Sequence, residues 1–190
     1  PWIYIILSSL AWGITLGASP AIGKFDHIDA YKRWPAAPQD QWASFLLTQD
    51  TKGHPVAYRN LALNFGALGS VWGYCWLSCS LAISLSWALG VLVLAYVDDF
   101  ITVAPHPTEL HGIAKLHEVI GVPLHLTPEK LQHPSHSPCD LLGVVVTCSN
   151  RVVKVANEER RINKLVSLCQ SLASAPGVPL QLWRQSLGQL

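Results

Sequence analysis

The sequence contains no methionine, opens on Pro1, and carries charge on only 13% of its residues, against a usual share of roughly 25%. The missing methionine fits an internal piece of a longer reading frame. Half of the residues are hydrophobic, so a disordered chain is excluded, as is a fibrous one. The formal charge of +1 supplies no global basic signal, and any role with nucleic acid has to rest on particular residues. Cysteine is sparse too: Cys75, Cys79, Cys139, Cys148 and Cys169 are odd in number and irregular in spacing. A disulfide framework is therefore not expected, and a reducing intracellular setting, cytoplasm or nucleus, is. No basic stretch precedes the first apolar one, so no secretory leader is expected. Internal repeats and low-complexity segments are absent as well.

What is present is apolar. Mean hydropathy is +0.29, and residues 1–23 and 60–97 carry no charge at all. The first run predicts an apolar helix or a membrane span, interrupted by glycines and Pro20. A short strand at 22–25 and a single helical turn over 29–33, stopped by Pro35, follow. Strands are expected at 42–48 and 56–62, joined by the polar connection TQDTKGHP. The second uncharged run reads as a Gly- and Ser-rich loop, a buried helix, and an aliphatic strand at 91–97, with another apolar strand at 100–104. Leu110, Ile113, Leu116 and Ile120 recur at helical spacing behind a capping Thr108, which predicts a helix over 108–120. Strands at 141–147 and 151–155 flank Ser149-Asn150. Asn157 is expected to cap an amphipathic helix bearing Ile162, Leu165, Val166, Leu168 and Leu172, with a break at 175–179 and a last helix from Leu180.

Two acidic features carry chemistry. Tyr96-Val97-Asp98-Asp99-Phe100 sets two adjacent carboxylates between apolar strands, where repulsion and desolvation disfavour both charges. A divalent cation removes that cost, and Mg²⁺ takes carboxylate oxygens while leaving positions for phosphates and water. An Asp-Asp turn on the surface is also common. Phe25-Asp26-His27-Ile28-Asp29-Ala30-Tyr31 places Asp26 after a short strand, able to point at a neighbouring strand's end. Three carboxylates from two β-elements make a two-metal site for in-line phosphoryl transfer.

Together these segments resemble the palm of a reverse transcriptase over most of the chain. Asp26, in FDHIDAYKRWP, matches the first catalytic aspartate of motif A; LNFGALGS (63–70) resembles motif B; Tyr96-Val97-Asp98-Asp99 matches the Tyr-x-Asp-Asp box of motif C. GVPLHLTPEK (121–130) resembles motif D, and Leu141-Leu142-Gly143 resembles motif E, the primer grip. The five stand in the family's order. GSVW and YVDDF are similar to the DIRS-like retrotransposon branch.

The resemblance implies an α/β (α+β) fold: a right-hand polymerase palm, a small antiparallel sheet backed by helices. Residues 1–23 would be partial fingers or a preceding segment, 24–147 the palm, and 148–190 the start of a truncated thumb. It implies RNA-directed DNA synthesis, with dNTPs added to a primer 3′-hydroxyl on an RNA or DNA template. Asp26, Asp98 and Asp99 would be the catalytic residues and the ligands of two Mg²⁺ ions, with Mn²⁺ as a substitute, and the His27 carbonyl could add a backbone ligand. Tyr31 takes the steric-gate position against a ribose 2′-hydroxyl, though a core tyrosine reads the same way. Phe65 and Gly66 would border the incoming nucleotide, and Lys130 would protonate the leaving pyrophosphate unless it is an exposed loop lysine. Leu142 and Gly143 would hold the primer.

Other readings compete. Residues 1–23 and 75–97 are each long enough to span about 30 Å of hydrocarbon. The second run, however, ends on Asp98-Asp99 without basic flanks, so no membrane is expected. An RNA-dependent RNA polymerase would space its motif A acids five apart and put glycine before the Asp pair; here Asp26 and Asp29 are three apart and Val97 precedes the pair. A decayed copy is the third reading, against which the acids are intact. His133, His136 and Cys139 have ligand-like spacing but lack a clear fourth ligand for zinc. Arg151, Lys154, Arg160, Arg161 and Lys164 form the basic cluster, which the resemblance places at the entry to the thumb, where phosphate contacts occur.

Overall fold

A computed structural model describes residues 2–127 and 129–174. In chain order these form α1 (Trp2–Thr15), β1 (Ala21–Asp26), 3₁₀ turns at Ala30–Arg33 and Pro38–Ala43, β2 (Phe45–Gln49), β3 (Pro55–Arg59), and α2 (Leu68–Leu89). Then follow β4 (Leu92–Tyr96), β5 (Asp99–Ala104), α3 (Ile113–Val119), β6 (Gln132–Ser135), β7 (Cys139–Leu141), β8 (Val144–Ser149), β9 (Val152–Asn157) and α4 (Glu159–Ser174). The fold is mixed α and β, with small antiparallel sheets and helices, as expected at that level.

The main sheet runs β4-β5-β1-β6, every pairing antiparallel. β4 and the middle of β5 are largely apolar because both faces of the sheet are covered, while β6 at the edge is polar. On one face Phe25, Val93, Phe100 and Ala104 pack with Ala82 and Leu85 of α2 and Ile113 of α3. On the other, Ile22, Ile101 and Val103 pack with Ile6 and Leu10 of α1 and with Leu141, Val146 and Cys148 of the β7-β8-β9 sheet. The period-two alternation of strand side chains sends Phe100 to one core and Ile101 to the other.

Among the described residues α2 is the one helix long and apolar enough to cross a membrane. Its buried residues Ser70, Tyr74, Ser78, Ala82 and Leu85 recur every third or fourth position, so one stripe faces the sheet. Ser86 then ties the helix to the sheet's edge: its hydroxyl accepts from Val93 N–H at 2.8 Å and donates to the Ala82 carbonyl at 2.8 Å.

Four sequence expectations need correction. The helix predicted over 108–120 begins only at Ile113, because Thr108 N–H donates to the Pro134 carbonyl at 3.0 Å and Gly112 takes a left-handed φ of 85°. The strand expected across 141–147 is broken by a tight turn at Leu142 (φ 56°) and Gly143 (φ 83°), which separates β7 from β8. Asn157 does not cap α4; it is the last residue of β9, paired with Val144, and the Glu158 carbonyl receives the first helical N–H groups instead. Trp42 belongs to the second 3₁₀ turn, and its strand starts at Phe45. The break at 175–179 and the helix from Leu180 lie outside the described residues.

β6, which contains Pro134 and was not expected, pairs with β1 across an irregular register. Gly23 makes that possible. A Cβ there would stand 2.4 Å from the Gln132 carbonyl oxygen and 2.7 Å from the Pro134 nitrogen, both backbone atoms that cannot swing away. Gly23→Ala is expected to cost about 3 kcal/mol through this overpacking. Gly73→Ala on the open face of α2, where a Cβ meets nothing within 4 Å, is expected to gain up to about 1 kcal/mol. Urea unfolding of the two variants, read as a shift in midpoint, checks both.

Candidate active site

The site is built on the pairing of β1 with β5. Six residue pairs run in register from Ala21↔Ala104 to Asp26↔Asp99, so strand pairing alone sets Asp26 beside Asp99 at one end of the sheet. Across β5, Tyr96 pairs with Asp99, leaving Val97-Asp98 as a two-residue turn. Val97 has φ 57°, a left-handed conformation that crowds a β-branched side chain. Such strained positions persist where the surroundings over-determine them, and they cluster at functional sites. The Leu142-Gly143 turn, with φ positive at both residues, is a second.

Two clefts meet at Asp26. The first, of about 290 Å³, is lined by Asp26, Asp99, Lys130, Asp140, Leu142 and Gly143 among others. The second, of about 470 Å³, is lined by Asp26, Tyr31, Asn60, Phe65, Asp98 and His125 among others. Asp26 is 7% exposed and forms part of the wall between them. Its backbone is clamped, the carbonyl accepting from His125 N–H at 3.0 Å, while Ile28 N–H donates to the Pro123 carbonyl at 2.9 Å.

The electrostatics follow from this crowding. Burial, then Asp26 and Asp98, hold the Asp99 carboxyl above the usual range, partly offset by Lys130 and Lys24. Lys130 donates to Asp26 Oδ2 at 2.6 Å, and that bond holds its ammonium above the ordinary lysine value. As they stand, no three His, Cys, Asp or Glu side chains among the described residues converge closely enough to hold a metal ion. The donor set itself suits a hard cation, with three carboxylates from adjacent strand ends and an ammonium already supplying positive charge to one of them.

The other expected residues divide between the clefts. Tyr31 is buried by its ring and meets the edge of Phe65 at 5.6 Å; Phe65 itself is 90% exposed over the second cleft. Gly66 takes φ 87° at the turn before α2, a conformation only glycine adopts freely. Lys130 lies with Leu142 and Gly143 in the first cleft. Arg161, from the basic cluster, lays its guanidinium over Gly143, 3.2 Å from where a Cβ would sit. Arg151, Lys154, Arg160 and Lys164 are exposed on β9, its preceding turn and α4. His133, His136 and Cys139 do not converge. His133 Nδ1 accepts from Leu110 N–H at 3.1 Å, His136 Nε2 contacts Ser19 at 3.1 Å, and burial pushes the Cys139 thiol up to about 12.

Two residues of the site were not singled out from sequence as side chains. His27 is 2% exposed and hydrogen-bonds through Nδ1 to the hydroxyl of Tyr74, which is fully buried. Burial and then His117 push His27 down to about 3, so it is neutral. Neither residue carried a local signal: His27 follows the acidic Asp26 just past β1, and Tyr74 lies inside an uncharged helix. No protein-family model matches the chain, and no curated protein matches it.

Proposed function

We propose that the chain is the palm of an RNA-directed DNA polymerase, which adds dNTPs to a primer 3′-hydroxyl on an RNA or DNA template. The observation that carries this reading is the meeting of two clefts at Asp26, with Asp99 facing one and Asp98 the other. A polymerase needs the primer terminus and the incoming nucleotide on opposite sides of one acidic centre. The cleft of Leu142, Gly143 and Lys130 takes the primer end, and the cleft of Tyr31, Phe65 and Asp98 takes the nucleotide.

Asp26, Asp98 and Asp99 would hold Mg²⁺, or Mn²⁺ in its place. When bound, the ions supply positive charge for the triphosphate and make the primer hydroxyl more acidic. The chain's own residues do the rest. The Tyr31 ring closes the space a ribose 2′-hydroxyl needs. Phe65 offers an exposed face to a base. The turn at Leu142-Gly143, with Arg161 over it, meets the primer backbone. Lys130 neutralises Asp26 and stays charged at neutral pH, so it serves better as a counter-charge than as a proton donor.

The test is primer extension by this chain on an RNA template with Mg²⁺ and the four dNTPs. Labelled nucleotide should appear in the primer. A chain that shows neither incorporation nor Mg²⁺-dependent dNTP binding would refute the reading.

A further inference from the structure

Tyr31 has no hydrogen bond from its hydroxyl among the described residues, so packing alone sets its ring. Of its two stacked or edge-on aromatic neighbours, one, Phe65, is almost wholly exposed and gives little support. The other, Tyr74, is fully buried and lies with its ring 4.9 Å from that of Tyr31, the planes tilted by 31°. Tyr74 is therefore the buried aromatic on which Tyr31 rests, with Trp34, Leu63, Val71, Leu77 and Val97 packed around their cluster. Its own position depends on its hydroxyl, whose partner is His27 Nδ1.

His27 is firmly held. Its ring sits 4.5 Å from Phe100 and 5.1 Å from His117, and its backbone bridges to Leu124. His117 Nδ1 donates to the Ile113 carbonyl at 2.7 Å, which leaves its Nε2 as a bare acceptor. The Tyr74 hydroxyl can donate to His27 Nδ1 or accept from it, and the tautomer of His27 follows from which it does. Among the described residues neither buried Nε2 atom, of His27 or of His117, has a hydrogen-bond partner, so Nδ1 carries the side-chain polar contact of each ring. The polar chain runs from the Tyr74 hydroxyl, through His27, toward α3.

We propose that Tyr74, held by His27, is a positioning residue that fixes the Tyr31 ring and so sets the sugar selectivity of the nucleotide cleft. This rests on the polymerase reading above. Tyr74 touches the nucleotide nowhere; it acts through Tyr31. His27 follows Asp26 directly, so the same bond couples the gate ring to the strand end carrying that acid. Removing the Tyr74 hydroxyl leaves His27 Nδ1 unpaired in the core and frees the ring of residue 74 to shift.

The experiment measures the affinity of dATP against ATP for the full chain with Mg²⁺, alongside kcat/KM for each in primer extension. Tyr74→Phe and His27→Leu are expected to lower the preference for the deoxynucleotide about tenfold, acting mainly on the ribonucleotide. His27→Asn, whose amide can replace Nδ1, should restore most of it. The double variant Tyr74→Phe/His27→Leu should cost no more than either alone, since both remove one bond. If His27→Leu does not fold, Tyr74→Phe and His27→Asn still decide. A wild-type chain that discriminates while Tyr74→Phe discriminates equally well overturns this proposal alone. Equal losses for both nucleotides, with the ratio kept, do the same and reduce Tyr74 to a core residue. A wild-type chain that binds neither nucleotide removes the polymerase reading itself, before any variant is made.

Discussion

Asp98→Asn and Asp26→Asn are each expected to lower primer extension by about a thousandfold, roughly 4 kcal/mol of lost transition-state stabilisation. The substitution keeps shape and hydrogen-bonding capacity and removes a charge. Asp26 is the harder loss to absorb, because it belongs to both clefts and its backbone is clamped by His125 and Pro123. Asp98 stands on the strained Val97-Asp98 turn, and the fold accepts that strain in a hairpin it could otherwise close with glycine or asparagine. Asp140 is the control: it lines the first cleft but is exposed, on β7 rather than on the paired ends of β1 and β5. Asp140→Asn should cost less than about threefold, the scale of a screened surface charge. Single-turnover incorporation on a preformed primer-template separates these effects from primer binding. Activity within tenfold of wild type in Asp98→Asn would remove that residue from the chemistry.

The parts of this fold that were legible from sequence are those fixed by local pattern. β5 was readable because both of its faces are covered, so Phe100, Ile101, Val103 and Ala104 are apolar around a single buried Thr102. α2 was readable as a helix, but not as the buried one expected: only one stripe faces the protein, and Trp72, Trp76, Ile83 and Trp87 are exposed. The Asp26↔Asp99 pairing was guessed only as a meeting of strand ends; its register depends on strands far apart in sequence. β6 escaped because His133-Pro134-Ser135 looks like a loop, and its one trace was Gly23, a glycine in the middle of an apolar strand. The helix over 108–120 had the right spacing, but spacing says nothing about Thr108 N–H finding a carbonyl on β6. The His27–Tyr74 bond had no local signal at either end, since each partner is polar only in the context of the other.

The second large effect concerns stability and cations. Asp99→Asn is expected to stabilise the metal-free chain at neutral pH by about 1 kcal/mol, a rise in Tm of about 3 °C, while lowering activity. The reason is the position of Asp99 between Asp26 and Asp98, with Lys130 and Lys24 offsetting only part of their field. The sign follows from linkage. A carboxyl held above its usual range binds its proton more tightly in the folded state than in the unfolded one. Its charge therefore opposes folding above the folded pKa, and that penalty fades as pH falls through it. The advantage of Asp99→Asn should be greatest at neutral and alkaline pH and should shrink toward acid. Mg²⁺ should act on the wild type in the same direction by different means. Binding only to the folded carboxylates, it should add about 1.4 kcal/mol at ten times its dissociation constant, and Asp99→Asn should lose most of that gain. Thermal unfolding with EDTA, Mg²⁺ and an equal ionic strength of KCl distinguishes specific binding from screening. A wild type more stable than Asp99→Asn in EDTA at neutral pH would mean that the carboxylates are already satisfied by Lys130 and Lys24. The crowding that makes these acids suit a cation would then be absent.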